Sequence, residues 1–333
     1  MDLAALAEEL VSIPSISEHE ARYAERLSAI LGELGWRVEQ DALGSLYAFD
    51  EAPPRLFFST HIDTVPPFLP PRREGSLLYG RGACDTKGGL VAMLEAGRRL
   101  RAEGRRGIGF LFVVREETDH SGAIAAAADP RLNSLDSPRI ILCEPTCNRI
   151  VSAQRGVLKV RIRCTGKAGH SAFPEAGHSA IHALVGILAT LQNEAWPEDE
   201  LLGELRFNIG HISGGVAANV FAPEAEAQVM FRLNRPAAEI LPRIETLCAD
   251  AELRIETSND PLRYQLPDGF QTCTAAFNTD ASYLAPIGPV WLVGPGDIRV
   301  AHSEQEHIDL DELARGVELY QQLGAIALDG EPA

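Results

Sequence analysis

Six side chains of this 333-residue chain are of the kinds that handle metal ions and water: His61, Asp85, Glu116, Glu117, Glu144 and His302. Imidazole nitrogen and carboxylate oxygen are the usual donors to zinc and similar divalent ions. Taken singly, each has an ordinary explanation. A histidine is commonly a satisfied core or surface group, and adjacent glutamates commonly form a solvated pair. Their contexts are less ordinary. Asp85 lies in Leu78–Gly89 with glycines at 80, 82, 88 and 89 around it and a helical pattern after it. Glycine allows positive φ and close backbone approach. The stretch therefore reads either as a tight turn or as a rigid mount for a binding carboxylate, its glycines making room for what is bound. Glu116 and Glu117 close an apolar run. Neighbours on a strand point to opposite faces, so one can coordinate an ion while the other faces water. A metal hydrolase needs that division: the ion lowers the pKa of water to about 7, and a carboxylate outside the ligand set takes the proton.

The elements that must position these groups are short buried strands. Arg55–Thr60, Gly107–Val114 and Arg139–Cys143 are nearly continuous apolar runs, as expected of strands covered on both faces. They end at His61-Ile62-Asp63, at Arg115-Glu116-Glu117 and at Glu144-Pro145-Thr146. Open α/β sheets collect ligands at the carboxyl ends of their strands. Helical spacing marks Leu3–Val11, Leu90–Arg101 and Asp311–Leu323. Ser17 with Glu20 reads as a capping box opening a helix over Glu18–Leu34. Pro66–Pro71 reads as a loop, and Asp329–Ala333 as a low-complexity tail.

Near Gln154 the pattern changes. Gly156–Cys164, Glu204–Ser213 and Ala225–Leu233 alternate like half-exposed antiparallel strands, Ser179–Gln192 and Ala237–Ala249 read as helices, and Leu253–Thr257 as a last strand. The order βαββαβ is that of a ferredoxin-like sandwich. From Asn278 the α/β character resumes, with Pro289–Val293 a buried strand. The fold class is therefore α/β: a discontinuous α/β domain over 1–153 and 258–333, with a ferredoxin-like domain inserted at 154–257.

Composition narrows the partners. The formal net charge is −17, from 47 acidic residues against 30 Lys plus Arg. Such a surface repels a phosphate backbone, so no nucleic acid is expected. No apolar run approaches the roughly 20 residues of a membrane span, and Met1–Glu20 lacks the features of a signal peptide. The six cysteines form no CxxC pair, which suits a reducing compartment, and the expected location is cytoplasmic.

Taken in order, His61-Ile62-Asp63, Gly80–Gly88, Glu116-Glu117, Glu144-Pro145-Thr146, Gly169-His170-Ser171 and Ala301-His302 resemble the successive motifs of the M20 metallopeptidases. That group includes acetylornithine deacetylase, succinyl-diaminopimelate desuccinylase, aminoacylase-1 and glutamate carboxypeptidases. The resemblance runs from about Leu3 to Leu323. It implies a zinc-exopeptidase-type catalytic domain with an inserted lid that usually dimerises, giving a homodimer. It implies two divalent ions per subunit, zinc or else cobalt or manganese. Asp85 would bridge them, His61 and Glu144 completing one site and Glu117 and His302 the other. Asp63 would hold His61, and Glu116 would be the general base and then the acid for the leaving amine. The peptide after the bridging residue, Asp85–Thr86, would be cis. In the lid, His170 resembles the histidine that stabilises the oxyanion, while Asn219 and Arg232 resemble the pair that holds the substrate carboxylate. Thr279 and Asp280 would also face substrate. His120, His178, His182, His211 and His307 are left as structural or surface groups. Arg115 stands where relatives carry a small or acidic residue, and it could pair with an acid or lower the pKa of Glu116.

The activity so implied is removal of an acyl group, such as acetyl, from an N-acyl amino acid such as N-acetylornithine. The alternative is a metallo-exopeptidase, a dipeptidase or carboxypeptidase. Either way the substrate is a small N-acylated amino acid or dipeptide. A non-catalytic, metal-stabilised binding protein is the third reading.

Overall fold

The computed structural model describes residues 1–330; the end of the expected tail, 331–333, lies outside the described residues. The chain divides into two compact units. The first comprises Met1–Ser152, Tyr264–Cys273 and Thr279–Ala333, the second Ala153–Arg263 and Thr274–Asn278. The expected boundary at 257 falls inside a strand, Glu252–Asn259, and a strand cannot be cut without losing its ladder.

A six-stranded sheet organises the first unit, in the order Arg37–Gln40, Leu46–Phe49, Ile108–Val113, Leu56–His61, Arg139–Leu142, Val290–Leu292. The first two form an antiparallel edge, and the other four run parallel. Every residue of Leu56–His61 and Ile108–Val113 is buried, which is why both strands read as unbroken apolar runs. Phe58, Phe110 and Phe112 stack across them, with ring centroids 5.8 and 5.5 Å apart. Each such ring contributes on the order of 2–3 kcal/mol by leaving water, so the strands that end at the site are firmly anchored. The helices Gly88–Ala102 and Leu310–Asp329 pack side by side in this unit. A small antiparallel sheet of Arg72–Glu74, Leu77–Tyr79 and His307–Asp309, not foreseen in the sequence, ties the Gly-rich stretch to the segment after His302.

Two local expectations give way. The second helix runs over Ala21–Glu33 and has no side-chain cap. The Ser17 hydroxyl instead donates to Asp63 Oδ2 at 2.7 Å. The glycines after Asp85 make room for protein, not for a ligand: a Cβ on Gly89 would lie 2.1 Å from Cys143 Sγ. Gly82 has φ +83°, which supplies the turn itself.

The second unit carries a four-stranded antiparallel sheet in the order Arg206–Gly214, Glu224–Leu233, Gly156–Thr165, Glu252–Asn259. With the helices Ala180–Asn193 and Ala237–Leu247 this is the ferredoxin-like order read from the sequence. The burial of Glu224–Leu233 alternates residue by residue. One face packs on the helices. On the other, Arg161 pairs with Glu226 and Glu256 at 2.7 and 2.8 Å. Among the described residues no helix is long and apolar enough to cross a membrane.

Candidate metal centre

The strands Leu56–His61, Ile108–Val113 and Arg139–Leu142 are mutually parallel, so their carboxyl ends share one edge of the sheet. His61 ends the first, Glu116 and Glu117 follow the second, and Glu144 follows the third. Asp85 is supplied by the tight turn Ala83–Lys87 ahead of the helix Gly88–Ala102. The peptide Asp85–Thr86 is cis, as the resemblance implies. His302 comes from a loop after a short helical turn, Ile298–Val300, and has φ 61°.

These groups converge into two sets. Donor atoms of His61, Asp85 and Glu144 lie within 4.8 Å of one another, and so do those of Asp85, Glu117 and His302. Asp85 belongs to both. Its Oδ1 is 3.0 Å from His61 Nε2, and its Oδ2 is 3.2 Å from His302 Nε2. His302 Nε2 is also 2.9 Å from Glu117 Oε1. One carboxylate thus presents an oxygen to each histidine.

Asp63 orders the surroundings. His61 Nδ1 lies 3.0 Å from the Asp63 carbonyl and 3.4 Å from its Oδ1. With Nδ1–H donated there, Nε2 carries the lone pair, as a metal ligand requires. The Asp63 carboxylate also accepts the backbone N–H groups of Glu116 and Glu117, at 3.0 and 3.1 Å. It therefore positions members of both sets together with Glu116. Burial pushes the Asp63 carboxyl up, but its bonds from His61 and Ser17 bring it net below the usual range.

The electrostatics call for a cation. Burial and then Glu144 push Glu116 well above the ordinary carboxyl range, against the opposing effect of His61. Burial and then Asp85 do the same to Glu144. Asp85 moves the other way: burial opposes it, but hydrogen bonds from His302 and His61 hold it well below. Glu144 is buried, and its Oε1 has no hydrogen-bond partner. An orphaned carboxylate oxygen at the meeting point of acids and imidazoles is what a hard or borderline divalent ion satisfies. The donors therefore fit two ions, one on each set.

Other expected residues fall elsewhere. Thr279 and Asp280 are fully buried. Thr279 Oγ1 accepts from the Ala281 N–H at 3.1 Å, and Asp280 Oδ1 pairs with His120 Nδ1 at 2.9 Å. Both are buried, and Asp280 lies with His120 close to Glu116. His120, left as a structural group, stands 3.8 Å from Glu116. Glu116 is shifted upward on balance, so any lowering by Arg115 does not prevail, and Arg115 Nε is buried without a hydrogen bond. In the second unit His170 and Asn219 are exposed, joined through the Ser171 N–H to the Asn219 carbonyl at 3.0 Å. Arg232 is half-buried and sits directly across from Arg206 on the neighbouring strand. Burial lowers its pKa, and no carboxylate pairs with it among the described residues.

The sequence reading missed Glu306. This buried carboxylate accepts the N–H groups of Gly82, Cys84 and Asp85, at 2.8, 3.3 and 3.3 Å, and pairs with buried Arg81. It clasps the turn that carries Asp85. Its only signal in the sequence is its place four residues after His302.

The profile of peptidase family M20/M25/M40 matches residues 57–325. A peptidase M20 domain-containing protein of Schizosaccharomyces pombe is 33% identical over 343 residues, which span 97% of this chain and 84% of that protein. A probable carboxypeptidase of Arthroderma gypseum is 31% identical, with 99% and 86% covered. Among solved structures, a tripeptidase from Staphylococcus aureus matches with a TM-score of 0.81 over 98% of both chains. At 22% identity that likeness is one of fold.

Proposed function

The chain belongs to peptidase family M20/M25/M40, and on that premise we propose that it is a dinuclear metallo-exopeptidase that hydrolyses short peptides bearing a free C-terminal carboxylate. It is a metallohydrolase of peptide or amide bonds. The observation that carries the proposal is the pair of histidines facing the two oxygens of Asp85, with Glu116 alongside. His61, Asp85 and Glu144 would hold one ion, and Asp85, Glu117 and His302 the other, zinc or else cobalt or manganese. Bound there, the ions would polarise the scissile carbonyl and acidify water.

The chain's own groups do the rest. Glu116 takes a proton from the attacking water and returns it to the departing amine, so it ends ionised as it began. Asp63 fixes the His61 ring and the backbone of the Glu pair. Arg232, without a carboxylate partner of its own among the described residues, receives the substrate carboxylate, helped by Asn219. His170 donates to the developing oxyanion.

The names of relatives such as the probable carboxypeptidase favour peptide substrates. N-acyl amino acid deacylation is the second reading; its support is the resemblance of Gly294–Asp297 and Ala301–Ser303 to segments of acetylornithine deacetylase-like enzymes. A homodimer formed through the second unit is also proposed. Its support is the exposed apolar side chains Ile181, Val185, Ile212 and Val216, and sedimentation tests it. The six free cysteines support a reducing, cytoplasmic location.

One panel tests the activity: dipeptides, longer peptides and N-acetyl amino acids, each with zinc, cobalt or manganese supplied. Cleavage of peptides supports the first reading, and turnover of N-acetyl amino acids alone would transfer it to the second. No turnover anywhere removes the hydrolase. Glu116→Ala should keep its metal yet lose about 10²–10⁴ in turnover; unchanged activity removes Glu116 as base.

A further inference from the structure

A third set of donors converges in the first unit. Glu116, His120 and Asp280 each offer an atom, and these lie within 4.8 Å of one another. His120 Nδ1 is 2.9 Å from Asp280 Oδ1 and 3.8 Å from Glu116 Oε1. The first separation matches those inside the two sets that share Asp85, which are 3.0, 3.2 and 2.9 Å, and the second is longer. The composition is also the same: one imidazole and two carboxylates.

Two further observations point to a ligand. Asp280 is fully buried, yet its Oδ2 has no hydrogen-bond partner. Leaving a charged oxygen so costs on the order of 1–3 kcal/mol or more, and among the described residues Glu144 Oε1 and Glu20 Oε1 are buried carboxylate oxygens in the same state. His120 is held in the left-handed region, φ 57°, where a non-glycine residue is uncommon. Its N–H, at 2.8 Å, and those of Thr118 and Asp119 all donate to the Arg115 carbonyl, and its ring lies 4.9 Å from that of Tyr283. The loop is built to deliver this imidazole between the two acids.

We propose that Glu116, His120 and Asp280 form a third divalent-cation site of zinc type, weaker than the other two, and that filling it inhibits the enzyme. Nitrogen and carboxylate donors suit zinc or cobalt. Affinity is lower because the cation enters beside two already bound. Inhibition follows because a cation held on Glu116 lowers the basicity of that carboxylate and occupies the position from which it would take the proton. The inhibitory half rests on the role given to Glu116 above; the binding half does not.

The test uses the whole chain loaded with two equivalents of zinc and dialysed against zinc buffers from micromolar to millimolar. Bound zinc is counted by elemental analysis, and activity is followed in parallel. Wild type should take up a third equivalent at the higher concentrations and lose activity in step with it. His120→Asn should keep two equivalents, bind a third about 10–100-fold more weakly or worse, and show no zinc-dependent loss from its own starting rate over the range in which wild type is inhibited. Should His120→Asn fail to fold, His120→Gln takes its place, and cobalt absorption gives an independent count in wild type. A wild-type chain that saturates at two equivalents throughout overturns the proposal, as does a His120 variant that takes up the third as wild type does. Absence of turnover with any substrate would defeat the hydrolase reading, while the zinc count would still decide the site.

Discussion

Replacing Glu306 by alanine removes a single carboxylate that binds three backbone N–H groups and one guanidinium. Arg81 would remain buried without its counter-charge, a loss of about 3–5 kcal/mol when one member of a buried pair is deleted. The two N–H bonds at 3.3 Å are long and add little, and that of Gly82 at 2.8 Å adds about 1 kcal/mol. Water entering the space left by the side chain offsets part of this. The net expectation is about 4 kcal/mol, which a domain of about 5–15 kcal/mol survives folded. A second effect is distinct from stability. The same bonds fix the backbone of Gly82–Asp85, and with it the carboxylate that serves both histidines. Zinc affinity should therefore fall at both sites by about 10–100-fold, the usual cost of losing a group that orients a ligand. Glu306→Gln keeps a neutral acceptor for the amides and should lie between. Denaturant unfolding of the metal-free chain gives the first quantity, and zinc titration of the folded chain the second. A Glu306→Ala chain within 1 kcal/mol of wild type would refute the clasp. One that is destabilised but binds both ions as wild type does would refute its link to Asp85.

Three further outcomes are expected. Asp85→Ala should lose both ions together, whereas His61→Ala and His302→Ala should each weaken mainly one; equal single-ion losses in all three, by elemental analysis, would place the bridge elsewhere. Arg232→Met should raise KM about 10–100-fold for substrates with a free carboxylate, leaving kcat less affected, in line with a charged hydrogen bond of about 1.5–3 kcal/mol; an unchanged KM removes the residue from substrate binding. Glu95 is buried beneath Arg98 and Arg99, at 2.7–2.9 Å, and these bonds hold its pKa down to about 2, from 4.5. A pKa depressed on folding stabilises above the unfolded value and is lost as pH falls from about 4.5 towards 2. Because both arginines are partly exposed, its contribution is about 2 kcal/mol at most. Glu95→Gln should flatten the acid limb of stability in that window, and an identical acid limb would contradict the assignment.

What the sequence discloses and what it hides have one physical cause. The strands Leu56–His61, Ile108–Val113 and Arg139–Leu142 are legible because burial on both faces admits few residue types, and parallel pairing then puts their ends at one edge. The acids and histidines at those ends stand out because nothing in the strand itself needs them. Partnerships across the chain leave no comparable mark. Ser17 satisfies the local rule for a helix cap, yet it donates to Asp63, 46 residues away. Asp63 is almost wholly buried, and a buried charge without donors costs more than an uncapped helix end. Glu306 and Asp280 follow the same rule. Each is an acid in an unremarkable local context whose partners, Arg81 and His120, lie 225 and 160 residues off. Three ligands of the centre, His61, Glu117 and Glu144, are thus written in the sequence as residue types at strand ends, while Asp85 and His302 come from a turn and a loop. The groups that hold those ligands still are written only in the fold, because a hydrogen bond between distant segments imposes no periodicity and no spacing on either.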